Sequence, residues 1–336
     1  MHDPARPTML QQQRNTMMRT LVLALTLCLA GADAWAQSYP TKPIRLVVGF
    51  APGGAADFVA RAISEYLGRG LGQTIVVENR AGAGSSIAAD YVAKAAPDGY
   101  TILIASPSSI SVNPALNPKL GYSQRDLAPI TKVSSSPLLV AVNPAVGVGS
   151  VRELIAAARK APGQLNYATS GNGSAPHLAG VLFTRLAGVD MVHVPFKGGG
   201  PAVQSVLAGD TQVTFATPPS VLPLVQAGRL RALAVTSRLR TPLVPDLPGM
   251  EEAGLADYEM SFWYGFFVPA GTRPEIIKRL FDATTNALQQ PEVKQALARE
   301  GTETAASRSP DEFAAFLVED AKFWMRLVKE SGAKLD

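Results

Sequence analysis

The chain is 336 residues long, 47% hydrophobic, 17% charged and 7% aromatic, a balance that supplies a sizeable core and excludes a disordered tail or a coiled coil. Lys and Arg number 31 against 27 Asp and Glu, a formal net charge of +4; with no long basic run there is no footprint for a phosphate backbone, so no nucleic-acid partner is expected. The 29 glycines and 26 prolines follow no repeat and predict many short connections instead of a fibrous or low-complexity chain.

The N-terminus reads as a secretory signal peptide. Arg14 and Arg19 precede the apolar stretch around Leu21 to Ala30, and Ala34-Trp35-Ala36 places small residues where a signal peptidase reads. The uncharged run from Thr20 to Ala32 is 13 residues, short of the roughly 20 that a helix needs to span a bilayer. Leu27 ahead of Cys28 argues against a lipid-modified cysteine. Cleavage after residue 36 leaves 300 residues with 28 basic and 25 acidic side chains and no cysteine, which suits an oxidising compartment such as the periplasm.

Downstream, strands and helices alternate. A β-branched strand over 44–50 is stopped by Pro52-Gly53-Gly54, and a helix follows with Asp57 in its first turn and apolar residues at helical spacing. Further strands are predicted over 74–78, 100–105, 138–142, 165–169, 191–194, 213–216, 230–235 and 262–268. Helices are predicted over 86–96, 151–160, 176–186, 202–208 and 221–227, then three in succession over 273–289, 293–300 and 310–330. This alternation predicts an α/β fold with parallel sheets and helical crossovers on both faces. No polar linker divides the chain, so two lobes would be joined by strands crossing near 136–142 and 261–268. The division is 1–36 signal peptide, 37–138 with 262–336 as a discontinuous first lobe, and 139–261 as the second.

Ligands in such folds sit beyond the carboxyl ends of strands, which directs attention to the loops there. The loop Phe50-Ala51-Pro52-Gly53-Gly54-Ala55-Ala56-Asp57 joins a strand end to a helix N-terminus, where free N–H groups favour an anion. The stretch around Ser170, Gly171, Gly173 and Ser174 repeats that arrangement with hydroxyl donors, and in a two-lobed chain the two loops would face each other. A third glycine loop, 80–86, reads as turn and packing chemistry. Lys197 could pair with a ligand carboxylate, although a solvated lysine at a strand end is the commoner case; Trp263, Tyr264 and Phe266 read as core or hinge packing.

Catalytic chemistry has little support. After cleavage His177 and His193 are the only histidines, and neither a His-Glu-x-x-His zinc helix nor a Gly-x-Ser-x-Gly elbow is present. No metal or other cofactor is expected. His177 reads as a packing or capping residue. An alternative from another class is a secreted α/β enzyme acting on a small carboxylic acid through Asp57 and His177; a further one is a sensor that presents its ligand to a membrane signalling partner.

Several strings in order along the chain carry a resemblance: Tyr39-Pro40-x-Lys42-Pro43-Ile44-Arg45, Pro52-Gly53-Gly54-x-x-Asp57, Val77-Glu78-Asn79-Arg80-x-Gly82-Ala83-Gly84, Pro97-Asp98-Gly99-Tyr100-Thr101, the run from Leu165 to Leu178 with Ser170-Gly171-x-Gly173-Ser174, Val192-His193-Val194-Pro195-x-Lys197-Gly198, and Trp263-Tyr264-Gly265. The chain resembles the Bug family of periplasmic solute-binding proteins over essentially its whole length after the signal. The resemblance implies a type II periplasmic binding protein fold, two lobes with a central cleft, in a receptor expected to act as a monomer. It implies capture of a small carboxylate ligand for the membrane permease subunits of a tripartite tricarboxylate transporter. On the residues that match, it implies ligand contacts from Phe50 to Asp57 and Ser170 to Ser174, with Ser106 as a further hydroxyl. Ala216 stands where the family often has an acidic residue, which favours a less cationic or more apolar distal group on the ligand.

Overall fold

The computed structural model describes residues 39–117 and 119–331 together with Met9, Met17 and Met18. The segment read as a signal peptide, including Cys28, otherwise lies outside the described residues. Two compact units are present, Met1–Thr41 and Lys42–Asp336; the description below concerns the second.

Strand β1 (Ile44–Val48) is apolar and buried except at the exposed Arg45, and it turns at Pro52-Gly53-Gly54 into helix α1 (Ala55–Leu71). The apolar face of α1 lies on the sheet, and Gly72, in the left-handed conformation at φ 71°, ends the helix by donating its N–H to the Arg69 and Gly68 carbonyls. Strand β2 (Ile75–Asn79), helix α2 (Ser86–Ala93) and strand β3 (Thr101–Ala105) follow, then the short helix α3 (Asn113–Leu116). The eleven-residue strand β4 (Leu127–Pro137) leads almost without pause into β5 (Leu139–Val142). The next units are α4 (Val151–Lys160), β6 (Asn166–Thr169), α5 (Ala175–Ala187), β7 (Val192–Pro195), α6 (Gly199–Ala208), β8 (Val213–Ala216), α7 (Pro218–Gln226) and β9 (Arg231–Val235). After the short helix α8 (Met250–Ala253) the chain returns through β10 (Ser261–Pro269) to α9 (Pro274–Gln289), α10 (Pro291–Arg299), the two-residue strand β11 (Glu303–Thr304) and α11 (Pro310–Ser331).

Two sheets result. One has the order β11-β4-β10-β3-β1-β2 and the other β7-β6-β8-β5-β9. Parallel pairing holds for β1 with β2 and β3, and for β6 with β7 and β8. The expectation of parallel sheets is corrected at the crossings: β10 is antiparallel to both β3 and β4, and β5 is antiparallel to β8 and β9. Each crossing strand enters its new sheet from the opposite end, so it cannot continue the direction of the βαβ units. Strand β4 is unpredicted because Pro129, Pro137 and the run Ser134-Ser135-Ser136 read locally as turn residues; nine of its residues nevertheless pair with β10.

Thr236 joins the two crossings. Its hydroxyl accepts from the Leu138 N–H (2.7 Å) and donates to the Met260 carbonyl (2.8 Å), while its N–H donates to the Leu138 carbonyl and its carbonyl accepts from the Met260 N–H (both 2.9 Å). All four bonds of this fully buried residue are therefore made where the chain passes between the sheets. One core gathers Trp263, Phe267, Phe313 and Leu317 over β3 and α2; another gathers Ala168, Val203, Val206 and Val221 around β5.

Candidate functional site

Helix α1 begins at the carboxyl end of β1 with Gly54 as N-cap, in extended conformation and without a side-chain cap. The amides of its first turn are therefore left to whatever approaches from outside the helix. The loop before it is pinned from behind by the buried Asp57. Its Oδ2 accepts from the Gly53 N–H (3.1 Å) and Arg61 Nε (3.0 Å), and its Oδ1 from Asn79 Nδ2 (3.0 Å); Asn79 also donates to the Phe50 carbonyl at 3.0 Å. Burial alone would raise the Asp57 carboxyl, but the hydrogen bonds from Arg61, Gly53 and Asn79 outweigh it and hold it below its ordinary value. Asp57 thus shapes the loop.

The second loop is built from β6 into α5. Ser174 is the N-cap, accepting from the His177 N–H at 3.3 Å, and His177 Nδ1 accepts in return from the Gly173 N–H at 3.1 Å. Gly171 (φ 127°) and Gly173 (φ 68°) take backbone conformations that L side chains rarely adopt. The Gly171 N–H reaches Thr169 Oγ1 at 3.3 Å.

Between the sheets lies a cleft with about 440 Å³ of space between atoms, of which about 20 Å³ admits the centre of a water molecule. From the first loop Phe50, Gly54, Ala55 and Ala56 line it, and from the second Ser170. Ala51, Gly53, Asp57, Gly171, Gly173 and Ser174 stand behind these, in the same loops but outside the lining. Ser106 is fully buried at the end of β3, its hydroxyl unpartnered, and the residue of that segment that reaches the cleft is Ser108. Lys197 is exposed and away from the cleft; its carbonyl accepts from the Ala51 N–H at 3.0 Å.

The expected opposition of the two loops is only part of the geometry. What faces Gly54 is the N-terminus of α6: a Cβ on Gly54 would lie 3.5 Å from the Gly200 N and 3.6 Å from the Gly199 N. Two serines cross the cleft in opposite senses. Ser220 on α7 accepts from the Ala55 N–H (3.1 Å), and Ser108 accepts from the Ala175 N–H (3.2 Å), so the first residue of α1 and the first of α5 each donate to a hydroxyl of the opposite sheet's side. Thr214, Thr217 and Ala216 add hydroxyl and methyl surface, and Phe262 and Tyr264 form an aromatic wall. The reading of Tyr264 as packing is corrected here: residues two apart on β10 share a face, so Phe262 and Tyr264 turn to the cleft while Trp263 enters the core. Among the described residues, no charged side chain lines the cleft. Sequence reasoning missed Thr217 and Ser220; the signal available was the carboxyl end of β8 running into a helix begun by two prolines, with Thr217 as its N-cap and Ser220 in its first turn.

A family model described as tripartite tricarboxylate transporter family receptor matches residues 59–333. The chain belongs to this family. It is 37% identical over 318 residues to protein BugT of Bordetella pertussis, spanning 94% of this chain and 97% of that one. The structure of the periplasmic binding protein BugD superposes with a TM-score of 0.85 at 31% identity, covering 88% of this chain and 99% of that chain. An R. palustris protein solved with adipate also gives 0.85, at 35% identity, covering 88% and 100%. The receptor thus has the two-lobed α/β fold of periplasmic binding proteins, and it is a solute-binding protein, not an enzyme. The pairing of Asp57 with His177 as acid and base finds no geometry to support it, since the carboxylate is bonded to Gly53, Arg61 and Asn79 and the imidazole Nδ1 to Gly173. Among the described residues no group of three His, Cys, Asp or Glu is placed to hold a metal, and no helix is long and apolar enough to cross a membrane.

Proposed function

We propose that the receptor captures a small carboxylate-bearing solute between its lobes and delivers it to the membrane permease subunits of a tripartite tricarboxylate transporter. The observation that carries this reading is the N-terminus of α1, which has no side-chain cap from its own Gly54 and whose Gly54, Ala55 and Ala56 line a cleft that, among the described residues, has no charged side chain. A carboxylate there would be held by backbone N–H groups and the helix dipole, with charge-assisted bonds that exceed the neutral ones they replace. The hydroxyl of Ser220 on Ala55 marks an acceptor position that a ligand oxygen would compete for.

Phe50, Ala51, Gly53, Gly54, Ala55, Ala56 and Asp57 on one side, and Ser106, Ser170, Gly171, Gly173 and Ser174 on the other, form the two halves of the site. Those that line the cleft touch the ligand and those behind shape the loops. The lobes divide at 138–139 and 261–262, a reading supported by the membership of the two sheets and by the Thr236 bonds at both crossings. The free space of about 20 Å³ holds about one water, so a six-carbon diacid enters only after the lobes part, and closure then follows its binding. The receptor works as a monomer and reaches the periplasm through a cleaved signal peptide, residues 1–36.

The test is a calorimetric titration with mono-, di- and tricarboxylates, adipate first. Saturable binding of at least one, with a smaller radius of gyration by X-ray scattering in the loaded protein, is the expected result. Saturation with superimposable scattering curves would refute closure, and failure of every carboxylate to bind would refute the ligand class.

A further inference from the structure

The run Lys197-Gly198-Gly199-Gly200, where β7 turns into α6, belongs to neither cleft loop, yet it brings the second sheet's side onto the first loop. The Ala51 N–H donates to the Lys197 carbonyl at 3.0 Å, a backbone bond that crosses from one side to the other. A Cβ on Gly198 would lie 3.0 Å from the Ala51 N, and one on Gly200 would lie 3.4 Å from the carbonyl oxygens of both Pro52 and Gly53. The middle glycine has a different neighbour: a Cβ on Gly199 would fall 2.7 Å from Ser220 Oγ, the hydroxyl that accepts from the Ala55 N–H. Two glycine runs, 53–54 and 198–200, thus meet backbone to backbone beside the cleft.

We propose that the 197–200 run is the seam on which the lobes close: Gly198 and Gly200 are positioning residues whose lack of a side chain admits the first loop, and the Ala51–Lys197 bond forms only in the closed receptor. Gly200 separates closure from folding. It stands in the first turn of α6 without a left-handed φ, and outside that turn the three atoms nearest its Cβ position are all backbone atoms of Pro52 and Gly53. A larger side chain there meets the first loop when the lobes come together, and backbone cannot swing aside as a flexible side chain can. Gly198 is a less selective probe, because at φ 152° a side chain would strain its own turn as well. Gly199 and Ala202 line the cleft and Gly200 does not, so Gly200 acts on the ligand through closure. A solute that docks on the open α1 start and is then enclosed leaves only as the seam reopens. The seam therefore governs how long a solute is retained, not how fast it arrives. This inference rests on reading the cleft as a carboxylate site that closes over its ligand.

The test is Gly200→Val, with Gly200→Ala beside it, in stopped-flow binding of adipate. In Gly200→Val the association rate should stay within about twofold of the wild type while the dissociation rate rises at least about tenfold, and the melting temperature of the unliganded protein should stay within about 2 °C. The single added carbon of Gly200→Ala, at 3.4 Å, makes a contact that the backbone tolerates, so its dissociation rate should rise much less than that of the valine variant. Amide exchange gives a second reading: saturating adipate should slow exchange of the Ala51 N–H at least about tenfold in the wild type and much less in Gly200→Val. A dissociation rate that valine raises less than tenfold, an equal rise in both variants, or Ala51 protected alike in wild type and Gly200→Val would overturn the seam. If adipate binds neither protein, the carboxylate reading fails for that probe and the seam is decided without ligand. Slower Ala51 exchange in the unliganded wild type than in Gly200→Val then supports the seam, and equal exchange overturns it.

Discussion

The two cleft loops begin alike, each a strand running into a glycine turn and a helix, and they are secured in opposite ways. The 50–57 loop is held by a carboxylate: Asp57 gathers Gly53, Arg61 and Asn79 behind the turn, so the first amides of α1 face the cleft, where hydroxyls of Ser220 and Tyr264 take those of Ala55 and Ala56. The 170–174 loop is held differently: Ser174 caps its own helix, His177 Nδ1 accepts from the Gly173 N–H, and Thr169 Oγ1, beside His193 Nε2, accepts from the Gly171 N–H. An anchor placed behind a helix start leaves backbone donors for a ligand, whereas a cap within it uses them internally. The first loop therefore presents N–H groups, and the second contributes Ser170 and a shaped wall.

The largest expected effect is on the presented amides. Gly54→Val places methyl groups in the cleft; the Cβ itself meets only ordinary contacts at 3.5 Å or more, so adipate affinity should fall more than 100-fold while the melting temperature moves by no more than about 2 °C. Retained affinity would remove the α1 start from the site. Next is the charged anchor. Asp57→Asn sets an amide NH₂ against donors and should cost about 1–3 kcal/mol in stability, with roughly tenfold weaker binding; calorimetry and chemical denaturation read both.

Acid should separate the loops further. The lowered Asp57 carboxyl contributes stability that persists above the ordinary carboxylate value and is lost only as pH falls through its folded value. His193 works in a higher window: the unfolded chain takes up a proton below about 6.5, the folded one not until about 3, so its contribution falls throughout that interval as pH drops. Amide exchange at pH 5.0, corrected for intrinsic rates, should show protection at Gly171, held through Thr169 beside His193, falling relative to pH 7.5 while Gly53 holds; equal changes would erase the distinction.

The smallest effect concerns a group that would blur that reading in a global melt. Burial pushes the Asp320 carboxyl up to about 6, against the hydrogen bond that Trp324 Nε1 donates at 3.1 Å. The folded state keeps a proton there that the unfolded state has lost, so stability decreases as pH rises through that window, opposite in sign to His193. Asp320→Asn should add about 1 kcal/mol at pH 7.5 and leave adipate affinity unchanged, as denaturation and calorimetry would show.

How far the site was legible follows the same divide. The strand, glycine turn and first-turn acid of the 50–57 loop lie within one window of sequence, so period and turn chemistry identify them and place Gly54 to Ala56 at a helix start. Ser220 is 165 residues from Ala55, and only the folding of both sheets brings its hydroxyl to that amide. His177 and His193 show nothing locally, because their stacking depends on α5 lying across β6 and β7. Phe262 and Tyr264 belong to an aromatic run in which alternation separates cleft from core, but the sequence does not say which face is which until β10 pairs with β3 and β4.

The most direct measurement is a ¹H–¹⁵N titration of the folded receptor with adipate, following the amides of Gly54, Ala55 and Ala56. A carboxylate held at the start of α1 predicts saturable downfield shifts in those three resonances, smaller ones at Ser170, and none at Lys278 on the exposed face of α9. Saturable binding that leaves Gly54, Ala55 and Ala56 unmoved would contradict the account.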